Sequence, residues 1–307
     1  MRRLTPIVHL LVGAAVVAAA LPAIVGCGGG GDTASDIAFV SSRDGDYAIF
    51  VMAADGGGER RLTEADRDPT DDNAIFFQIE PAWSADGARI VFASGRSGTS
   101  DIYVMNADGT GTTQLTATDD NDAHPTWSPD GSTIAFARAG DIYTMAADGS
   151  NARRISDINA DESDPAWSPN GELIAYVRRT PGTPVSNVWV MNPDGSGRRA
   201  LTSQNGRTFT PAWSPDGARL VFATNAEGEV YELFTIGVDG KGLRTVAPTA
   251  GDNFEPSWSP DGSRIAYQEA GAIFTVELGG GAVEKLTDNA NNDSSPAWKP
   301  QAPSSDE

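Results

Sequence analysis

The chain has 307 residues, with 42 acidic against 22 basic side chains, a net charge of −20, one cysteine and two histidines. Such a surface repels phosphate backbones, so no nucleic-acid partner is expected. The scarcity of cysteine and histidine excludes disulfide frameworks, Cys/His zinc centres and most histidine-based triads.

The N-terminus reads as a leader. "MRR" is basic, "IVHLLVGAAVVAAALPAIVG" is apolar, and Gly26 stands directly before Cys27, the ending of a bacterial lipoprotein signal. Residues 1 to 26 are expected to be removed, Cys27 to be lipidated, and residues 27 to 35 ("CGGGGDTAS") to form a flexible tether. A plain transmembrane anchor is the alternative. With the lipid, the protein works outside the cytoplasm, on the periplasmic face or the cell surface, and touches the membrane only through acyl chains.

From residue 36, "DIAFVSS", "YAIFVM" and "ERRLT" read as three strands. A loop over residues 64 to 80 follows, with Ile75, Phe76, Phe77 and Ile79 in one apolar run, and is expected either to dock a partner or to fold over and plug a channel. Then Trp83, Trp127, Trp167, Trp213, Trp258 and Trp298 recur at intervals of 44, 40, 46, 45 and 40 residues, a propeller-like period. After each of the first five comes an apolar strand such as "RIVFAS", a second such as "DIYVM" and a closing segment such as "QLT". "SPDG" matches a type I turn, because Pro presets φ at its second position and Gly accepts the left-handed exit. Helical periodicity is absent outside the leader.

The strand census closes on itself. The first unit lacks its first strand, and "SSPAW" at residues 294 to 298 is a first strand without the other three. The expectation is an all-β, six-bladed β-propeller of four-stranded blades over residues 36 to 298, closed by the C-terminal strand completing the first blade, with a polar tail at 299 to 307.

The recurring "PAWSPDG", "TIAFAR" and "DIYVMNADG" strings resemble the WD-like repeat of the TolB-type β-propeller family. The resemblance implies extracytoplasmic propellers that dock proteins or ligands at the mouth of a central channel. The small α/β domain that precedes the propeller in that family has no counterpart between the tether and the first strand.

Propeller connectivity puts the short, formulaic first-to-second and third-to-fourth turns on one face. The variable fourth-to-first and second-to-third loops lie on the other, where binding usually resides. The six fourth-to-first loops carry 17 acidic residues against two arginines, Arg67 and Arg207, while Arg60/Arg61, Arg153/Arg154 and Arg198/Arg199 are expected toward the opposite face. Candidate partner-binding residues on the loop face are Ile75, Phe76, Phe77, Ile79, Asp122, His124, Arg207 and Asn253.

The residue before each recurring proline, namely Glu80, His124, Asp164, Thr210, Glu255 and Ser295, is expected at the channel mouth. Glu80, Asp164 and Glu255 suit a Ca²⁺ ion, which takes several oxygen ligands; alternatively they are solvated or satisfied by backbone amides. "DINADES" lacks the Gly and final Glu of an EF-hand loop. The tryptophans read as inter-blade packing, and Asp101, Asp141, Asn187 and Glu232 as turn caps.

These observations favour a monomeric scaffold that binds an envelope protein or surface polymer through the acidic face, and not an enzyme. The alternative is a Ca²⁺-dependent ligand-binding or carbohydrate-active propeller, in which Glu80, Asp164 and Glu255 act as acid and base.

Overall fold

The computed structural model describes residues 36–64, 67–68, 71–75, 77–157, 161–246, 251–279, 281–288 and 290–301. The expected leader, Cys27, the tether and the last six residues lie outside the described residues.

Six four-stranded antiparallel sheets are each ordered first to fourth strand from the axis outward. Their first strands touch in sequence, and the last touches the first, so the ring is closed. Blade 1 is the composite one: Ser294–Trp298 lies beside Ile37–Ser41, followed by Ala48–Met52 and Arg60–Arg61. Ile37 pairs with Trp298 and Ala38 with Ala297, as the strand census requires. Blades 2 to 6 open on Gln78–Trp83, Asp122–Trp127, Asp161–Trp167, Thr208–Trp213 and Asn253–Trp258. The 64–80 loop adds a small hairpin, Arg67–Asp68 with Asp71–Ile75, which pairs only with itself among the described strands.

Each second strand is almost wholly buried, as in Ile90, Val91, Phe92 and Ala93, because both of its faces are covered by neighbouring blades. The tryptophans perform the inter-blade role expected of them. Trp83 donates its indole N–H to Ala297 O at 3.1 Å, Trp213 to Ala166 O at 3.0 Å and Trp258 to Ala212 O at 3.2 Å, each across a blade boundary. Cations of the preceding blade stack on four of the six rings: Lys299 on Trp83, Arg89 on Trp127, Arg219 on Trp258 and Arg264 on Trp298.

The repeated short motifs have local chemical causes. In "SPDG", Ser128 Oγ donates to Asp130 Oδ1 at 2.5 Å and accepts the Thr133 N–H at 2.9 Å, so one hydroxyl closes the hairpin. In the closing "xLT" or "xIS" of five blades the hydroxyl accepts a strand-three N–H, and in blades 2 and 3 it also donates to the acid that begins that strand. Thr116 does so with Ile102 at 2.9 Å and Asp101 at 3.3 Å, and Ser156 with Ile142 at 3.0 Å and Asp141 at 2.7 Å. Asp101, Asp141 and Asn187 therefore fasten third strands to fourth strands, a wider role than turn capping.

Candidate functional site

The residue before each first-strand proline has a left-handed backbone: φ is 59° at Glu80, 52° at His124, 51° at Asp164, 48° at Thr210, 55° at Glu255 and 51° at Ser295. Each sits in a bulge. Ile79 pairs with Ala93 and Ala82 with Val91, so Glu80 and Pro81 together face Phe92. A bulge tolerates a proline because the ladder is already interrupted there. Six non-glycine residues held in this region represent backbone strain that the surrounding ladder must sustain, a feature that concentrates at functional sites.

The side chains of this ring connect neighbouring blades. Glu80 Oε2 of blade 2 accepts the His124 N–H of blade 3 at 2.5 Å, and Glu255 Oε2 of blade 6 accepts the Ser295 N–H of blade 1 at 2.6 Å. The His124 Nδ1 atom is 3.2 Å from Glu80 Oε1 and 3.6 Å from Asp164 Oδ1, so one imidazole bridges carboxylates of blades 2 and 4. Its side chain keeps 34% of its exposure. Burial opposes a charge on His124, but Glu80, Asp164 and Glu255 outweigh it and raise its pKa. Burial also pushes the Glu255 carboxyl up, against the hydrogen bonds from Ser295.

Backbone amides thus satisfy two of the three carboxylates proposed for a cation. Among the described residues, no three His, Asp or Glu side chains are grouped so as to hold a metal ion. Glu80 and Asp164 flank His124 instead, and Glu255 is engaged by Ser295.

Two residues expected on the partner surface lie beneath it. Asp122 is fully buried and takes a bidentate pair from Arg138, at 2.6 and 2.7 Å. Asn253 is 1% exposed, and its amide donates to Gly251 O at 2.9 Å. They belong to a position two residues before the ring, occupied around the propeller by Gln78, Asp122, Glu162, Thr208, Asn253 and Asp293, all buried. Their backbone N–H groups hold the preceding blade: Asp122 N donates to Ser100 O at 2.7 Å, Glu162 N to Gly140 O at 2.9 Å and Asn253 N to Tyr231 O at 2.8 Å.

Phe77 and Ile79 are half-buried. The Phe77 ring lies over Gly95, where an added Cβ would meet it at 2.9 Å, and Ile79 packs against the core between blades 2 and 3. Phe76 lies outside the described residues, and of Ile75 only the backbone, in the small hairpin, is described.

The charge on the loop face is more mixed than the fourth-to-first loops alone suggest. Arginines at the ends of second strands reach it: Arg43 meets buried Asp293 at 3.4 Å, and Arg178 meets Asp157 at 3.0 Å and buried Glu162 at 3.4 Å. The fourth-strand arginines do not all turn to the opposite face. Arg61 pairs with Asp44 and Asp46 of a variable loop, at 2.8 and 2.9 Å, whereas Arg60 contacts Ala107 O on the hairpin side.

One feature escaped the sequence reading. Phe209, Tyr231 and Phe254 gather across the boundary between blades 5 and 6, with ring centroids 4.9 to 6.5 Å apart. Arg207 lies over Phe209 at 5.8 Å. The available signal was positional: only blades 5 and 6 have an aromatic residue immediately before the ring residue.

The TolB beta propeller domain model matches residues 71–205 and 164–304. The Tol-Pal system protein TolB of Geobacter sulfurreducens is 32% identical over 87 residues, 28% of this chain and 18% of that protein. A TolB homolog of Chlorobium luteolum is 33% identical over 147 residues, 34% of this chain and 32% of that protein. The matches thus span less than a third of either curated relative. The crystal structure of TolB from Acinetobacter baumannii superposes with a TM-score of 0.74 at 20% identity, over 88% of this chain and 68% of that one.

Proposed function

Because the chain belongs to the TolB β-propeller family, we propose that it is an extracytoplasmic scaffold that docks an envelope protein on its variable-loop face. One observation carries this reading: six left-handed ring residues surround the channel mouth, with His124 bridging Glu80 and Asp164. The hairpin face, by contrast, is built from turns whose polar atoms satisfy one another, as Ser214, Asp216 and Ala218 do. A binding role suits the ring better than acid–base chemistry, since its glutamates are engaged by neighbouring amides.

Acyl attachment at Cys27 is part of the proposal. Membrane fractionation of wild type and Cys27→Ser, with mass spectrometry of the N-terminal peptide, tests it; an unmodified Cys27 would refute the anchor.

The docking reading is tested by affinity capture from cross-linked envelopes with wild type and with a Glu80→Ala, Asp164→Ala, Glu255→Ala triple variant. Recovery of one stoichiometric partner by wild type, reduced by salt and by the triple variant, is expected. Equal recovery under all conditions would exclude the ring from the interface.

A further inference from the structure

We propose that the aromatic cluster of Phe209, Tyr231 and Phe254 is a cation-binding subsite, and that its occupant is a lysine or arginine side chain on the docked partner protein. The inference rests on the docking role of this face and adds the contact chemistry.

In blades 1 to 4 the chain supplies its own cation to the aromatic residues of the second and third strands. Arg43 lies 4.7 Å over Phe50, Arg96 4.7 Å over Tyr103, Arg138 5.0 Å over Tyr143 and Arg178 5.0 Å over Trp189. Each of these arginines lies at the end of a second strand or two residues beyond it. In blade 5 the second strand is followed by Asn225; in blade 6 it ends in Glu269, and the cation over third-strand Phe274 comes instead from Lys285 of the fourth strand, at 5.9 Å.

Blades 5 and 6 also bring three further rings to the same face, of which Phe209 has Arg207 over it at 5.8 Å. All three are half-buried, so each keeps part of its surface toward solvent. Carboxylates surround them. Asp252 Oδ1 accepts the Tyr231 N–H at 2.8 Å, and the Glu269 carboxylate lies against Gly251, where an added Cβ would meet it at 3.0 Å. The loop leading to Tyr231 adds Glu227 and Glu229, both exposed. Arg207 is the sole lysine or arginine in the loops 203–210, 225–231, 247–255 and 269–271.

Rings alone suit an apolar anchor, and carboxylates alone are well served by water. The combination suits a cation carried on an apolar stem, which gains from the ring faces, from the acids and from burial of its methylenes. The net charge of −20 gives long-range attraction of the same sign.

The test uses the whole propeller and two probes: the peptide acetyl-Gly-Lys-Pro-Lys-Gly-amide and the same peptide with both lysines Nε-acetylated. Binding is followed by NMR shifts of the aromatic side chains, in wild type, Tyr231→Leu and Phe254→Leu. Leucine keeps apolar bulk and removes the ring, and thermal melts check that each variant is folded; if one is not, Glu269→Gln replaces it. The charged peptide is expected to shift the Tyr231 and Phe254 resonances and to bind about fivefold more weakly to each variant, with no shift from the acetylated peptide. Equal binding of the acetylated peptide, binding unchanged in the leucine variants, or shifts confined to the His124 ring would overturn the subsite. Capture of the same partner by wild type and both leucine variants would also overturn it while leaving the docking role intact. Peptide binding with no partner captured by any form would retain the subsite and reject the docking role.

Discussion

Trp83 donates its indole N–H to Ala297 O at 3.1 Å, joining the first strand of blade 2 to the last strand of the chain. Ala297 in turn pairs with Ala38, so this contact joins the C-terminal strand to both neighbours at the seam of the ring. Deleting residues 294–307 leaves Ile37–Ser41 as an open edge and removes Trp298, which is 6% exposed. The unfolding transition is expected to broaden and move down by several degrees, whereas deleting 302–307 leaves it unchanged. Trp298→Ala alone should cost about 3 to 5 kcal/mol in urea denaturation. Equal melts for the two truncations would show that the ring does not depend on this strand.

Arg138 and Asp122 form a bidentate pair under the surface, with Asp122 fully buried. Removing one partner leaves an uncompensated buried charge. Arg138→Ala is expected to cost about 3 to 5 kcal/mol, and adding Asp122→Asn should recover part of that loss. A double-mutant cycle in chemical denaturation reads the coupling. Additive losses would show that the two side chains do not stabilise each other.

The strand pattern, the blade number and the closing strand were legible because each rests on local chemistry that recurs around the ring: Trp83 and its counterparts in all six blades, the Ser-Pro-Asp-Gly turns and their close variants in five, and the "xLT" or "xIS" hydroxyls in five. The ring residues were legible for the same reason, since each precedes a proline. Asp122 and Asn253 misled because their position is polar in every blade and so reads as loop. Asp122 is satisfied by a partner brought close only by strand register, Arg138, and Asn253 by the backbone carbonyls of Tyr231 and Gly251. The Phe209, Tyr231 and Phe254 cluster was hidden for a related reason: it crosses a blade boundary, and periodicity within one blade carries no trace of it.

The hairpin turns make the fold acid-sensitive. Hydrogen bonds from Ser84, Ser128, Ser214 and Ser259 hold the carboxyls of Asp86, Asp130, Asp216 and Asp261 below the usual aspartate range. A depressed folded pKa gives stability that is present above the unfolded value, about 3.9, and is lost as pH falls through the folded value. Stability should therefore drop below about pH 4, and Asp130→Asn should flatten part of that drop. Ser128→Ala is expected to cost about 1 kcal/mol at neutral pH, because the Thr133 N–H loses its acceptor. Denaturant midpoints measured across the acid range provide the check; an unchanged slope in Asp130→Asn would remove the turns as the cause.

Glu162 titrates in the opposite sense. Its side chain is fully buried, its oxygens accept no hydrogen bond from the described residues, and Arg178 approaches Oε1 at 3.4 Å. Burial pushes its carboxyl up to about 7, against the attraction of Arg178 and with repulsion from Asp157 adding to the rise. Beside it, burial and Glu162 raise the Tyr176 phenol above its ordinary range. The folded state thus holds a proton that the unfolded chain, with an ordinary glutamate value of 4.5, releases earlier. Stability contributed by this group is full below that lower value and declines as pH rises toward about 7. Glu162→Gln removes the decline, and blade 2 already carries Gln78 at the equivalent buried position, where its amide donates to Glu64 O at 3.0 Å. Relative to wild type, the variant is expected to gain about 1 to 3 kcal/mol between acidic and neutral pH and to change little beyond it. Urea denaturation across that interval measures the difference, and a variant whose deficit or gain stays constant with pH would show that Glu162 is ionised throughout.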